Sequence, residues 1–272
     1  MSGPEGRSFW KMSGSGNDFV VFDRLTGAEP ALLEPSFVGR VCARGTGVGA
    51  DGLVVLEPSS RADLRLRYVN ADGTAAFCGN ATLCTTRLAV ELGAARAEGL
   101  TIETEAGVVE ARLRDGQPEI DLPEVDDVRE SLTLGLEPGE ERIGYAVAGV
   151  PHLVVLCGSA DDVEIGRRGR ALRWEPSLLG GANANFISRG AGGRWRMRTY
   201  ERGVEDETLA CGSGAVSCAI LLATWGLGGD TTVLRTSSGK DLRVALRRSG
   251  HGWRPSLGGE GRIVFRGFLA EI

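Results

Sequence analysis

The sequence predicts a mixed fold of the α/β (α+β) class, made of two pseudo-symmetric domains that arose by an internal duplication. Two cysteines share one setting, in Phe77-Cys78-Gly79-Asn80-Ala81 and in Ala210-Cys211-Gly212-Ser213-Gly214. An apolar stretch of helical length follows each cysteine and ends at a glycine, as helices commonly do. Strand, turn, cysteine and helix therefore recur in one order, in two copies of about 130 residues.

Each predicted element has a counterpart in the other copy. The strands alternate basic and apolar residues, which is typical of a sheet with one buried face. Both helices are apolar on nearly every side, so each must be enclosed, and short alternating strands achieve this when a sheet curls around a central helix. The pairs are a strand and polar turn over 65–73 and 196–203, a helix over 81–92 and 215–225, and two strands around a glycine turn over 101–113 and 234–246.

Chain length also indicates two domains, because 272 residues lie near the size at which a single core usually splits. We place the N-terminal half at residues 1–118 and the C-terminal half at 119–262, with a strand over 263–272 returning to the first half. The acidic, proline-containing segment 115–141 is the expected linker. A pseudo-twofold axis would bring Cys78 and Cys211 face to face, so we expect the active site in the cleft between the domains.

Composition narrows the class of partner. The formal net charge is −5 and no basic stripe occurs, which argues against nucleic acid and against an anionic membrane surface. Residues 1–19 lack the apolar segment of a signal peptide, and the chain holds no run of about 18 apolar residues that would span a membrane. We therefore expect a cytoplasmic protein whose partner is a small molecule, with a homodimer left open.

A zinc site is the first alternative use of the cysteines. Structural zinc usually takes ligands two to four residues apart, whereas Cys78 and Cys84, like Cys211 and Cys218, are six and seven positions apart. On a helix that spacing separates two ligands by roughly 9–10 Å, too far for one ion. We predict no metal, and we assign ordinary core positions to four cysteines, Cys42, Cys84, Cys157 and Cys218.

Cofactor chemistry is also disfavoured. A pyridoxal-phosphate enzyme needs a Schiff-base lysine, and neither Lys11 nor Lys240 has a suitable setting. The spacing Gly47-x-Gly49-x-x-Gly52 matches a dinucleotide fingerprint, but a helix precedes it and a strand follows, the reverse of the required order. Two histidines, His152 and His251, are too few for a histidine-rich metal centre. We expect no cofactor.

Taken together, the motifs resemble the diaminopimelate epimerase family. They follow the family's order over most of the chain, and the two cysteine motifs together are specific to racemases and epimerases that use no cofactor. The matching strings are Lys11–Val20, Gly47–Gly52, Asn70–Gly73, Cys78–Asn80, Gly149–His152, Asn183–Phe186, Tyr200–Gly203, Ala210–Gly214 and Phe265–Phe268.

The resemblance implies epimerisation of LL-2,6-diaminopimelate to the meso isomer, a step toward lysine and peptidoglycan. One base removes the α-proton and an acid on the opposite face returns another, so a thiolate and thiol pair can supply both roles. Backbone N–H groups at the two helix starts would bind the α-carboxylate. The implied catalytic residues are Cys78, Cys211, His152 and Glu201, and the implied substrate-binding residues are Asn17, Asn70, Gly79, Asn80, Asn183, Glu201, Arg202, Gly212 and Ser213.

Several departures from the family pattern concern the substrate more than the reaction. Val150 stands where the family often has an asparagine, Gly52 where some members have glutamine, and Gly45 where a basic residue is common. Ala81 replaces the usual glycine, which would cost about 1 kcal/mol only if that position needed a positive φ. Two alternatives follow: a cofactor-independent racemase of another amino acid, and a thiol redox or small-molecule binding module.

Overall fold

The computed structural model describes residues 7–272, and within them it has four α-helices and seventeen strands. The helices are α1 (Pro35–Cys42), α2 (Gly79–Glu91), α3 (Ile165–Arg173) and α4 (Gly212–Thr224). The strands are β1 (Arg7–Gly14), β2 (Asn17–Asp23), β3 (Gly52–Glu57), β4 (Leu64–Asn70), β5 (Leu100–Thr104), β6 (Gly107–Arg114), β7 (Gln117–Asp121), β8 (Val128–Arg129), β9 (Glu140–Ala148), β10 (Val150–Cys157), β11 (Asn183–Arg189), β12 (Trp195–Glu201), β13 (Asp206–Thr208), β14 (Thr231–Arg235), β15 (Asp241–Ser249), β16 (Gly252–Gly258) and β17 (Arg262–Leu269). No helix in the described range is long and apolar enough to cross a membrane.

The first compact unit comprises the described residues up to Ile120 together with Gly259–Ile272. Strands β17, β1 and β2 are antiparallel neighbours, β2 runs parallel to β3, and β3 is antiparallel to β4. A short parallel pairing joins β4 to β5, and β5, β6 and β7 form an antiparallel meander. The segment 259–272 therefore contributes a full strand beside β1.

The second compact unit, Asp121–Gly258, repeats this order of strands. Strands β9 and β10 are antiparallel, β10 is parallel to β11, and β11 is antiparallel to β12. A short parallel pairing joins β12 to β14, and β14, β15 and β16 form a meander. Strands β2–β4 thus correspond to β10–β12, and α2 corresponds to α4. The predicted duplicated α+β architecture is confirmed.

A central helix is enclosed in each unit. Helix α2 packs against β1, β4, β6 and β17, and α4 packs against β9, β10, β11, β14, β15 and β16. Side chains such as Leu83 and Leu221 are fully buried, because sheet lies on several sides of each helix. A separate core lies under α1 in the first unit and under α3 in the second, centred on Phe22 and Phe37 and on Phe186 and Leu172. The prediction of an apolar helix inside curled sheet is correct.

The expected linker over 115–141 is wrong in part. Residues Gln117–Asp121 form β7, which pairs with β6, and Val128–Arg129 form β8, which pairs with β9. Glu119 of β7 is 3% exposed and accepts hydrogen bonds from Arg112 and Arg114. A buried carboxylate is tolerated here because the two guanidinium groups offset its charge.

Candidate active site

Cys211 is the N-cap residue of α4, with φ −135° and ψ 111°. The residue is 7% exposed, and its Sγ accepts a hydrogen bond from the backbone N–H of Gly214 at 3.4 Å. The Ser213 hydroxyl lies 3.5 Å from the same sulfur. Free N–H groups and the partial positive charge at a helix start favour the thiolate over the thiol. The local structure therefore suits Cys211 to act as a base.

His152 lies on β10 and is fully buried. Its Nε2 is 3.0 Å from the Ser213 hydroxyl, and its Nδ1 is 3.1 Å from the side-chain nitrogen of Asn185. Burial, with a smaller contribution from the positive charge of Arg202, lowers the pKa of His152 to about 3. The imidazole is neutral at physiological pH, and the Ser213 hydroxyl lies between it and the Cys211 sulfur.

The ends of β11 and β12 carry the other candidates of the second unit. Asn183 opens β11, is 4% exposed, and accepts a 2.7 Å hydrogen bond from the backbone N–H of Arg202. Glu201 ends β12 and accepts a 2.7 Å bond from the Thr208 hydroxyl. The Arg202 guanidinium contacts the Gly180 carbonyl at 3.5 Å, a long contact that leaves its planar fork able to grip a carboxylate.

Cys78 occupies the matching position in the first unit. It is the N-cap residue of α2, with φ −136° and ψ 113°, and it is partly exposed. Its neighbour Asn80 is 3% exposed and donates a 2.7 Å bond to the side-chain oxygen of Asn17. Asn17 in turn donates to Asp51 at 3.0 Å. A carboxylate can only accept, so Asp51 fixes the orientation of the Asn17 amide.

Asn70 ends β4, where its side-chain oxygen accepts a 2.7 Å bond from Tyr68 and its nitrogen donates to the carbonyl and hydroxyl of Thr74. Burial raises the pKa of Tyr68, so the phenol keeps its proton and can donate. Asn70 thus closes a turn, as asparagine often does, while its orientation is set by Tyr68.

Three of the sequence departures have a local explanation. A side chain at Gly52 would place its Cβ 2.4 Å from the Tyr68 ring, so the bulk of Tyr68 takes the place of a residue-52 side chain. Gly45 has φ +91°, a conformation that a basic residue would adopt only with strain. Ala81 lies in the first turn of α2, where alanine fits without strain. Val150 opens β10 beside the tight turn at Gly149.

The structure groups the candidate residues within each unit. Asn17 contacts Asn80 in the first, while Ser213 links Cys211 to His152 and Asn183 contacts Arg202 in the second. Sequence reasoning missed the residues that orient these side chains, Asp51, Tyr68 and Asn185, and also Thr199, whose hydroxyl donates to the Asn185 oxygen. A polar residue inside an otherwise apolar strand, such as Asn185 in β11, was the available signal.

The remaining cysteines are buried core residues, as predicted. Burial raises the pKa of Cys42 to about 11 and of Cys157 to about 12, and it also raises the pKa values of Cys84 and Cys218. All four therefore remain thiols at neutral pH. Within residues 7–272, no group of three histidine, cysteine or acidic side chains is arranged to hold a metal ion.

Comparison with known proteins identifies close relatives of the chain. Residues 9–125 and 144–259 match the family model described as diaminopimelate epimerase. A diaminopimelate epimerase from Gemmatimonas aurantiaca is 50% identical, over 97% of this chain and 100% of its own length. Another, from Aquifex aeolicus, is 39% identical over 80% of this chain and 82% of its own.

Solved structures share the fold at much lower identity. A Bacillus anthracis phenazine biosynthesis protein of the PhzF family superposes with a TM-score of 0.75 at 15% identity, covering 98% of this chain and 100% of its own. A hydroxyproline epimerase from Agrobacterium vitis gives a TM-score of 0.69 at 20% identity, covering 99% and 94%. The duplicated architecture thus also occurs outside the matched family.

Proposed function

Because the chain belongs to the diaminopimelate epimerase family, we propose that this isomerase interconverts LL-2,6-diaminopimelate and meso-diaminopimelate without a cofactor, in the supply of lysine and peptidoglycan precursors. The observation that carries the proposal is the pair of cysteines at equivalent helix starts, with backbone angles that agree within a few degrees. Each thiol lies where a helix N-terminus favours its anion.

The reaction uses Cys78 and Cys211 on opposite faces of one α-carbon. A thiolate removes the α-proton, and the other thiol delivers its proton to the opposite face of the resulting carbanion. The two cysteines exchange roles when the direction reverses, so they titrate as a coupled pair. His152 acts through Ser213, and Glu201, which also accepts from Thr208, assists proton movement at the thiols.

Stabilisation of the carbanion falls to backbone N–H groups, because no cofactor spreads the charge. The first N–H groups of α2 and α4 have no partner inside their own helices. We assign the α-carboxylate to these donors, which belong to Gly79, Asn80, Gly212 and Ser213. Donors fixed in advance where negative charge develops lower the barrier without reorganisation.

The distal amino-acid group of the substrate is not inverted, and we assign its binding to polar side chains at strand ends. Arg202 would hold the distal carboxylate in a bidentate grip, and Glu201 would pair with the distal amine. Three asparagines complete the set, Asn17, Asn70 and Asn183. Their amides are already oriented by Asp51, Tyr68 and the backbone of Arg202, which supports a preformed site.

The test is proton exchange in deuterated water. Incubation with LL-diaminopimelate and no added cofactor should give the meso isomer with deuterium at one α-carbon. The Cys78→Ser and Cys211→Ser variants should each lose at least about a thousandfold in kcat, since serine is a far weaker acid at neutral pH. Cys42→Ala, which alters a buried thiol of the core, is the matched control. A wild-type chain that neither exchanges nor epimerises would refute the proposal.

Val150 favours one alternative substrate class, because it stands where the family often has an asparagine that would contact the distal end of diaminopimelate. A racemase of another amino acid would tolerate this loss. A substrate panel of histidine and other diamino acids separates the two functions: turnover of diaminopimelate alone supports the first proposal, and faster turnover of a different amino acid supports the second.

A homodimer is supported by exposed apolar side chains of β17. Val264 is 45% exposed, Phe265 47% and Phe268 77%, an unusual amount of apolar surface on one strand. We expect Phe268→Glu to convert a dimer into monomers, because it would bury a carboxylate in the interface. Sedimentation velocity measures the change, with Leu136→Glu as a control at another exposed apolar side chain. A chain that is monomeric before substitution would contradict the assignment.

A further inference from the structure

We propose that Asn185 is a positioning residue that fixes the tautomer of His152, so that the Ser213 hydroxyl is obliged to donate its proton to Cys211. The inference deepens the proposed function, since it assigns a role at the same thiol. Asn185 lies on β11 and is fully buried, as is His152 on β10. Neither the cysteine motifs nor the substrate-binding set includes it.

The orientation of the Asn185 amide is determined by its neighbours. Its side-chain nitrogen lies 2.9 Å from the backbone carbonyl of Leu153, which can only accept a hydrogen bond. Its side-chain oxygen accepts a 2.9 Å bond from the Thr199 hydroxyl. The opposite orientation would set the amide oxygen against the Leu153 carbonyl. The nitrogen must therefore face Leu153, and it also faces His152.

The orientation of Asn185 then determines where His152 carries its proton. The Asn185 nitrogen donates to Nδ1 at 3.1 Å, so Nδ1 must offer a lone pair. A neutral imidazole with an unprotonated Nδ1 has its proton on Nε2. Nε2 consequently donates to the Ser213 hydroxyl oxygen at 3.0 Å. The hydroxyl proton is left to point elsewhere, and the Cys211 sulfur lies 3.5 Å away.

The first unit shows that the fold does not need this chain of hydrogen bonds. In the parallel pair β10–β11, His152 lies opposite Asn183, and in the parallel pair β2–β3, Phe19 lies opposite Gly52. Phe19 is therefore the counterpart of His152, and by the same register Val54 is the counterpart of Asn185.

The apolar counterparts are as well buried as the polar ones. Phe19 and Val54 are both fully buried, and Phe19 contacts the Tyr68 ring at 5.8 Å between centroids. Tyr68 pairs with Val54 as Thr199 pairs with Asn185. Polar residues in such a position need a compensating reason, because burying them costs more than burying apolar ones. Only the Cys211 side carries the polar set, which points to a role at that thiol.

The electrostatic surroundings of the hydrogen-bond chain are simple. Burial and the positive charge of Arg202 lower the pKa of His152, and burial and the negative charge of a Cys211 thiolate raise the pKa of the Cys218 thiol. Gly214 leaves room for the arrangement, since a Cβ there would lie 2.4 Å from the Asn185 oxygen. The position of Asn185 is thus fixed by contacts on several sides.

The first test reads the tautomer directly by ¹⁵N NMR on chain labelled at histidine. With only two histidines in the sequence, a His251→Gln variant assigns the signals. We expect His152 to show a protonated Nε2 and an unprotonated Nδ1 from neutral pH down to about pH 5. In Asn185→Asp the carboxylate can only accept, so the neutral ring should move its proton to Nδ1. A wild-type ring protonated on Nδ1 would overturn the inference.

The second test follows the consequence at the thiol. The pKa of Cys211 is measured from the ultraviolet absorbance of its thiolate, which is identified as the signal that disappears in Cys211→Ser. In Asn185→Asp this pKa should rise by about one pH unit, because the thiolate loses a hydrogen bond. The same substitution in a Ser213→Ala background should move it by less than half as much. The negative charge introduced by Asn185→Asp affects the pKa of Cys211 in both backgrounds. The difference between the two pKa shifts therefore measures the contribution of the Ser213 hydroxyl. Equal shifts would refute the route through Ser213.

Activity provides an independent readout. We expect Asn185→Asp to lower kcat about tenfold or more while KM changes little, and the acidic limb of the pH profile to move to higher pH. Ser188→Ala removes another buried polar side chain of β11 and should leave all three readouts unchanged. If the wild-type chain fails to epimerise diaminopimelate, the proposed function falls, while the NMR and thiolate titrations still decide the role of Asn185.

Discussion

Cys78 and Cys211 have almost the same backbone conformation, yet their neighbours differ in chemistry. Both were predicted to begin helices, and both do so as N-cap residues. That prediction was within reach because a repeated motif before an apolar run is a local pattern. The Asn185 and Thr199 bonds were out of reach, because they depend on which strands become neighbours and in which register.

Gly214 is the residue at which this difference can be tested most simply. Alanine at position 214 would bring its Cβ to 2.4 Å from the Asn185 oxygen and 2.9 Å from Met197, both buried. We expect Gly214→Ala to lower the free energy of unfolding by about 1–3 kcal/mol and to reduce kcat, since overpacking displaces Asn185. Chemical denaturation and initial rates measure the two effects.

The equivalent position in the first unit supplies the control for that experiment. Ala81 occupies it and is fully buried. The Ala81→Gly substitution should lower stability by about 1 kcal/mol through helix propensity without disturbing the bonds at Cys211. Unchanged kcat and stability in Gly214→Ala would show that α4 can shift to accommodate a methyl group.

At the scale of elements, the central helices were predicted within a few residues because their apolar character extends over the whole segment. Helix α4 was expected over 215–225 and spans Gly212–Thr224. The segment 115–141 was misjudged because its strands β7 and β8 are only five and two residues long, and they are held by pairing with β6 and β9. Such pairing leaves little trace in a local sequence pattern.

The close packing of α4 on β9 predicts how substitutions of glycine change the stability of the protein. Gly144 of β9 faces the helix so closely that a Cβ would meet Leu221 at 2.7 Å and Trp225 at 2.9 Å. We expect Gly144→Ala to cost about 1–3 kcal/mol of unfolding free energy. Gly166 in α3 has open space at its Cβ, so Gly166→Ala should instead stabilise the protein by about 0.5–1 kcal/mol. Urea titration of both variants checks the contrast.

At the scale of the whole molecule, the duplication was predictable because the order of motifs repeats, and the strand pairings follow the same order in both units. The exchange of Phe19 for His152 was not predictable, since nothing in the sequence alone aligns β2 with β10. One consequence concerns the pH dependence of stability. The unfolded chain binds a proton at His152 near pH 6.5, whereas the folded protein does so only near pH 3.

The free energy of unfolding should therefore decrease as the pH falls from about 6.5 toward 3, by at most about 1.4 kcal/mol per pH unit from this residue. His152→Phe, which copies the first unit, should remove this contribution. Urea denaturation of both chains between neutral and mildly acidic pH gives the difference, in which carboxylates common to both cancel. Parallel stability curves for the two chains would contradict the assigned pKa.

The pairing of β17 with β1 has a consequence for synthesis. Residues 121–258 form one unit that is continuous in sequence, so the chain that builds it is complete before the last residues of the first unit are made. The first unit lacks an edge of its sheet until residues 262–269 have been made. Although it is translated first, the half that carries Cys78 is therefore completed last. One edge of β1 has no partner strand until β17 has been synthesised.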